Sequence, residues 1–312
     1  MTLLLVGTFI FFGVHTILWL PKSFARLREK KRLHAHDEPR QFVRFGLRER
    51  ILHITVIISF FGLAITGMML KFAHMKWAAS LSSFVGGVGV AGTIHRICAV
   101  ITFGYFSVHL YSLYRHKRDK NLTWLEMLFH KNSLIPNWQD VLDFAHTIKW
   151  FFGLGGRPKY GRWTYWEKFD YFAVFWGVTI IGATGLMLWF PEFFTMILPG
   201  WVINVATIIH SDEALLAVGF IFTIHFFNTH LRPDAFPMDP VIFTGRTSFE
   251  ELEHDRTREY EDLKASGELE RCIKQPMPKK WMKAIYAFGL TCLVVGVVLV
   301  ILIIYSMLFG YK

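Results

Sequence analysis

Cysteine is scarce in this 312-residue chain. Cys98, Cys272 and Cys292 are far apart, and no C-x-x-C-H occurs, so no c-type haem is attached covalently. Cys98 and Cys292 fall inside apolar runs as packing residues. Nucleotide-binding motifs are missing as well. The apolar runs hold scarcely any acid beyond Asp170, Asp212 and Glu213, which read as lying at helix ends. A transporter or channel with ionisable groups along a polar path would carry more, which disfavours a proton-path membrane protein. The first apolar run has neither a basic leader nor an A-x-A-like site, so it reads as a signal anchor rather than a cleaved signal peptide.

Apolar residues are abundant: 53% are hydrophobic and 17% aromatic, above a soluble domain's composition. They gather into six runs, 1–20, 51–70, 92–114, 169–190, 202–229 and 282–309, each long enough to cross a bilayer as a helix, which takes about 20 residues. The net charge of +10 would suggest nucleic acid in a soluble protein. Its placement points instead to membrane sidedness, and no nucleic-acid partner is expected. Basic residues crowd KSFARLREKKR, RHKRDK and KKWMK, whereas 71–91 and 191–201 hold only Lys71, Lys76 and Glu192. By the positive-inside rule the charged loops 21–50, 115–168 and 230–281 are cytoplasmic, and both termini are outside. The expected fold class is an all-α, multi-pass protein of the bacterial inner membrane, surrounded by lipid. The chain reads as one domain over 1–312, with a core at 45–230, flanking helices at 1–20 and 282–309, and a charged cytoplasmic loop at 231–281.

The core is an internal repeat. RERILHITVIISFFGLAITGMMLKF (48–72) resembles YWEKFDYFAVFWGVTIIGATGLMLWF (165–190), and both end in Thr-Gly followed by Met, Leu and an aromatic cap. Each leads through a short turn to a helix with a histidine near its start, His95 or His210. Helices two and three therefore match four and five. Between the runs, 137–152 has apolar residues at helical spacing and reads as an amphipathic surface helix that walls a pocket beside helix two. Residues 248–271 read as a charged, solvated helix.

Ionisable groups inside a bilayer are rare and usually functional. Thirteen residues separate His95 from His109 and fourteen separate His210 from His225. At about 100° and 1.5 Å per residue, each pair lies near one face and about 21 Å apart along its helix. That arrangement suits two b-type haems, one near each membrane surface, held by facing imidazoles. His95 and His210 share the outer level. His225 lies at the inner level with either His53 or His109 as its partner. If both of these ligate, there are three haems, and His15 or His230 supplies the remaining coordination. Arg96 beside His95 and Arg50 near His53 are candidates for propionate contacts. His34, His36, His116, His130, His146 and His254 read as solvated.

The segment RFGLRERILHITVIISFFGLAITG, with its R-F-x-x-x-x-R-x-x-H pattern, resembles the cytochrome b subunits of formate dehydrogenases, NiFe hydrogenases and thiosulfate reductases. The stretch 137–177 resembles that family's loop and third core helix, and the resemblance covers about 45–230. It implies two haems b held by His53, His95, His210 and His225, with His95 paired to His210 and His53 to His225. His109, helices one and six, and the run THLRPDAFPMDPVIFTG (229–245) depart from the pattern. His109 resembles instead the paired-histidine second helix of the quinol-oxidising bc complexes, whereas helices one and six and the run 229–245 resemble modules that partner multihaem c-type cytochromes.

The expected function is electron transfer between an outer partner, either a multihaem c-type cytochrome or an iron–sulfur oxidoreductase subunit, and menaquinone or ubiquinone. The chain reads as one subunit of a quinone oxidoreductase, not catalytic alone. A haem-free structural anchor is the remaining rival. The partner is expected on 71–92 and 191–202, with Trp77 and Trp201 as contacts. Quinone is expected near the inner haem, with Asp143, Asp170, His15, His109 and His230 as groups able to meet its carbonyls.

Overall fold

A computed structural model of the chain describes residues 2–33 and 41–310. His34, His36, Tyr311 and Lys312 lie outside them. In chain order the elements begin with α1 (Thr2–Leu33), β1 (Gln41–Val43), α2 (Leu47–Lys71), α3 (Lys76–Phe84) and α4 (Val88–Asp119). They continue with α5 (Trp124–Leu128), α6 (Trp138–Phe151), α7 (Tyr165–Trp189), α8 (Pro191–Thr195) and α9 (Trp201–Phe220). The last group is α10 (Val241–Thr244), β2 (Arg246–Ser248), α11 (Phe249–Asp255), α12 (Thr257–Ser266), β3 (Ile273–Lys274) and α13 (Lys279–Phe309). Helix α9 runs on to Leu231 through two widely wound turns, Ile221–His225 and Phe227–Leu231. Such π turns are uncommon and gather at functional sites.

Among the described residues, six helices are long and apolar enough to cross a membrane: α1, α2, α4, α7, α9 with its extension, and α13. The expected all-helical membrane fold is borne out. Most helices outrun their apolar stretches because charged residues continue them into water, as at 115–119 of α4. Large apolar side chains such as Ile58, Ile97, Ile208 and Val294 point outward, where lipid would meet them.

The repeat has a structural counterpart. Helix α2 packs most closely on α4, and α7 on α9. Small residues allow the approach. A Cβ on Gly62 would collide with Cys98, and one on Gly296 with Phe222 and Phe226. Helix α13 closes one side against Phe222 and Phe226, where Leu293, Leu299 and Ile303 join the core.

The basic face differs from expectation. A three-stranded antiparallel sheet in the order β2-β1-β3 stands there, with Phe42 opposite Thr247 and Ile273. Phe42, Leu252 and Leu269 form its small core. The stretch read as one solvated helix is two, α11 and α12, broken at Arg256 and started by Ser248, whose hydroxyl accepts from Glu251 N–H. It is a lid on the membrane bundle, tied down by ion pairs from Arg258 to Asp143, Arg256 to Glu167 and Arg162 to Glu259.

Helix α6 is amphipathic as expected, but it packs against α1 and α7 rather than beside α2. Its polar face turns inward. Asp140 forms a buried 2.9 Å ion pair with Lys168 of α7, and Thr147 hydrogen-bonds Tyr160. Val141 and Leu142 are left outward.

Candidate haem and quinone site

A cavity of about 1860 Å³ runs through the bundle between α2, α4, α7 and α9. Drug-sized pockets hold roughly 300–1,000 Å³, so this one has room for more than a single small ligand. His53, His95, His109, His210, His225 and His230 all line it.

Towards the charge-poor face, His95 and His210 meet with ring centres 6.2 Å apart and planes at 66°. Two imidazoles bound to opposite faces of one iron, each through a bond of about 2 Å, place their centres about 6 Å apart. The repeat sets this geometry. Thr66 gives its hydroxyl proton to Gly62 O and faces His95 Nδ1 at 2.9 Å. Thr184, its counterpart, gives its proton to Ile180 O and lies 3.4 Å from His210 Nδ1, which is 3.0 Å from Ile181 O. The next residue in each copy is glycine, and it lies under the ring. A Cβ at Gly67 would stand 3.4 Å from His95, and one at Gly185 would stand 3.0 Å from His210. With Nδ1 engaged, Nε2 is the nitrogen left for a metal, the usual outer-shell arrangement of a ligating histidine. The Thr-Gly pair was visible in the sequence as the end of the repeat, but its role was not read there.

Towards the basic face, His225 Nδ1 is 3.1 Å from Asp170 Oδ2. His53 lies within electrostatic reach of His225 and edge-on to Phe243. His109 turns elsewhere, with Nε2 2.8 Å from the hydroxyl of Tyr171 on α7. His230 Nδ1 is 3.3 Å from Pro237 O.

Several expected positions need correction. His15 does not line the large cavity. It is buried among Trp19, Phe151 and Trp166, with Nε2 2.5 Å from the Tyr165 hydroxyl. Asp143 is buried away from the cavity, because Arg258, distant in sequence, and Gln139 both bind it. Asp170 lines the cavity but is engaged with His225. Arg50 does not line the cavity and donates from Nε to Phe243 O at 2.7 Å. His254 is not solvated; it is half-buried with Arg157 and Asp255. Trp77 points inward, donating to Ser306 at 2.8 Å, whereas Trp201 is exposed. Glu213 is not at a helix end. It is buried well inside α9, and Trp176 Nε1 lies 3.3 Å from its carboxylate.

Two arginines suit an anionic group. Arg96 lines the cavity at the His95–His210 end, with its guanidinium 5.7 Å from the centre of Trp189. Arg44, missed from the sequence, lines the other end, and among the described residues its buried Nε has no hydrogen-bond partner. Burial pushes the Arg44 guanidinium down to about 10, and Arg256 beside it acts the same way, while Glu167 and Glu259 oppose them. It remains a cation at neutral pH. The facing imidazoles, the engaged Nδ1 atoms and this orphaned guanidinium nitrogen fit a haem with carboxylate side groups.

Residues 2–130 match the family described as prokaryotic cytochrome b561, the cytochrome b membrane subunits of NiFe hydrogenases and related complexes. The resemblance read from the sequence is borne out over the matched residues. The match includes α1, which had been set apart as an addition to the family pattern. The family implies transmembrane electron transfer through b-type haem and, with six apolar helices, a multi-pass bacterial membrane protein. No curated protein matches the chain.

Proposed function

We propose that this chain, a b561-type membrane cytochrome over its first 130 residues, carries electrons between an extracytoplasmic redox partner and quinone at the cytoplasmic face. The observation that carries the reading is the His95–His210 pair, set by a Thr-Gly repeated in α2 and α7. When bound, haem supplies reversible one-electron chemistry at iron.

His95 and His210 would hold the outer group, with Arg96 at its carboxylates. His53 and His225 would hold the inner one, oriented by Asp170 and met by Arg44. His109, engaged with Tyr171, is left out, which gives two haems per chain. The two levels on α9 are fifteen positions apart, about 20 Å of helix. A charge crossing the membrane is worth about 2.3 kcal/mol per 100 mV, so such a chain couples redox chemistry to the membrane potential. The basic residues support an inside position for the His53–His225 end. The outer turns carrying α3 and α8 are short, which brings His95 and His210 near a docked multihaem cytochrome or iron–sulfur subunit.

The test is to add a short-chain hydroquinone anaerobically to the purified, oxidised protein and follow the b-type α-band. Reduction within the mixing time, abolished in a His53→Ala, His225→Ala double variant that keeps its outer haem, is the expected result. No reduction of the intact protein by hydroquinones of sufficiently low potential contradicts the quinone assignment.

A further inference from the structure

The segment 232–240 belongs to the run that departs from the family resemblance, and the haem ligands make no use of it. It folds back on the end of α9, where Asp239 N–H donates to Thr229 O at 2.8 Å. Met238 is buried in the position that a Cβ on Gly289 of α13 would need. The segment is thereby wedged between α9 and α13 at the basic end of the cavity. Asp239, His230, Phe243, Tyr286 and Cys292 line that end together.

Asp239 is enclosed by protein, yet its side chain has open surface, because it faces the cavity. Among the described residues, one hydrogen bond reaches its carboxyl, from Val241 N–H to Oδ1 at 2.8 Å. Among the described residues no hydrogen bond reaches Oδ2, and Asp239 lines the cavity. Around it stand Glu251, Arg44 and Arg232 as charged neighbours, with His230 on α9 and His53 on α2 lining the same end. Met238, Val241 and Phe243 supply apolar wall beside it. A polar acceptor on an apolar wall matches a ring that carries a hydroxyl at its edge and an aliphatic tail behind.

We propose that Asp239 is the residue that binds a hydroquinone at the basic end of the cavity, with Oδ2 accepting a hydrogen bond from one ring hydroxyl. The assignment rests on the quinone reading above and gives that reading a site. The same contact can move a proton: the ring O–H bond breaks as Oδ2–H forms, leaving the singly deprotonated hydroquinone and a neutral carboxyl. Burial pushes the Asp239 carboxyl up and Glu251 adds to this, while Val241 N–H, Arg44 and Arg232 oppose. The group thus holds a proton to higher pH than an ordinary carboxyl, as a proton-exchanging residue should. Asp143 and Asp170, the acids first considered, are both engaged elsewhere.

The experiment measures binding, not turnover. The haem-loaded, full-length protein is kept anaerobic and reduced, and is titrated with a short-chain naphthohydroquinone and with its dimethyl ether, which cannot donate. Wild type is expected to favour the hydroquinone by about tenfold, the worth of one hydrogen bond to a charged acceptor. Asp239→Asn keeps an oxygen for Val241 N–H, so its melting temperature and haem spectrum should be unchanged. Its preference should fall to about twofold or less and lose its dependence on pH. A wild-type preference retained in Asp239→Asn overturns the role of Asp239 alone. Failure of wild type to bind either compound overturns the quinone reading and this site with it.

Discussion

At the level of single residues, the histidines were legible and their neighbours were not. An imidazole in an apolar run stands out in any reading, and the shared depth of His95 and His210 followed from helical rise alone. What holds each ring depends on contacts between distant segments. Thr66 is 29 positions from His95, and Asp170 is 55 from His225. Asp170 therefore read as a free acid when it is the partner of a ligand candidate, and the burial of Glu213 beside Trp176 was invisible. Outer-shell partners of a ligating histidine are typically worth about 10–100-fold in affinity. Thr66→Val, which keeps the shape and removes the oxygen, is expected to weaken haem retention at the outer site by that order, measured by haem loss to an acceptor protein. Retention equal to wild type would remove Thr66 from the account. Gly185→Ala places a Cβ 3.0 Å from His210, so it should perturb the outer haem spectrum and leave the inner one alone. At the other level, His53→Ala should cost one haem, whereas His109→Ala should cost none.

At the level of elements, the six spanning helices and the repeat were written in the apolar periodicity, and the lid was not. Strands of two or three residues have no readable period, and Phe42 finds its partners at Thr247 and Ile273, some two hundred positions away. The ion pairs that hold the lid join residues 89, 97 and 115 positions apart. The Asp140–Lys168 pair is buried on both sides. Removing one partner of such a pair leaves an uncompensated charge and costs about 3–5 kcal/mol, so Lys168→Met should lower the melting temperature markedly, and Asp140→Asn, Lys168→Met together should recover part of the loss. The lid also carries a pH dependence. Burial works against the Asp255 carboxylate, but the His254 hydrogen bond and the Arg157 and Arg232 charges hold it well below the usual range. A carboxyl depressed in the folded state stabilises above its unfolded value, about pH 4, and loses that contribution as pH falls through the folded value. Asp255→Asn should therefore be less stable than wild type at pH 7, with the gap closing at low pH. A constant gap across that range would exclude the mechanism.

On the scale of the whole molecule, the charge asymmetry and the two histidine levels describe one object: a bundle with a through-going cavity, a thin charge-poor end and a thick basic lid. The proposed haem ligands lie in the repeated helices, and the proposed quinone contact lies in the segment that departs from the family resemblance. A repeated wire with a separate terminal is a natural division, since the transfer step needs only spacing while the terminal must fit its substrate. Two b-type haems at two depths is the reading on which the rest depends. It is tested most directly by the haem-to-protein ratio of the purified chain, read from a reduced-minus-oxidised spectrum beside a quantitative protein assay. The account predicts two b-type haems per chain, falling to one in His210→Ala with the inner spectrum intact. A ratio of zero, or one unaltered in His210→Ala, would contradict it.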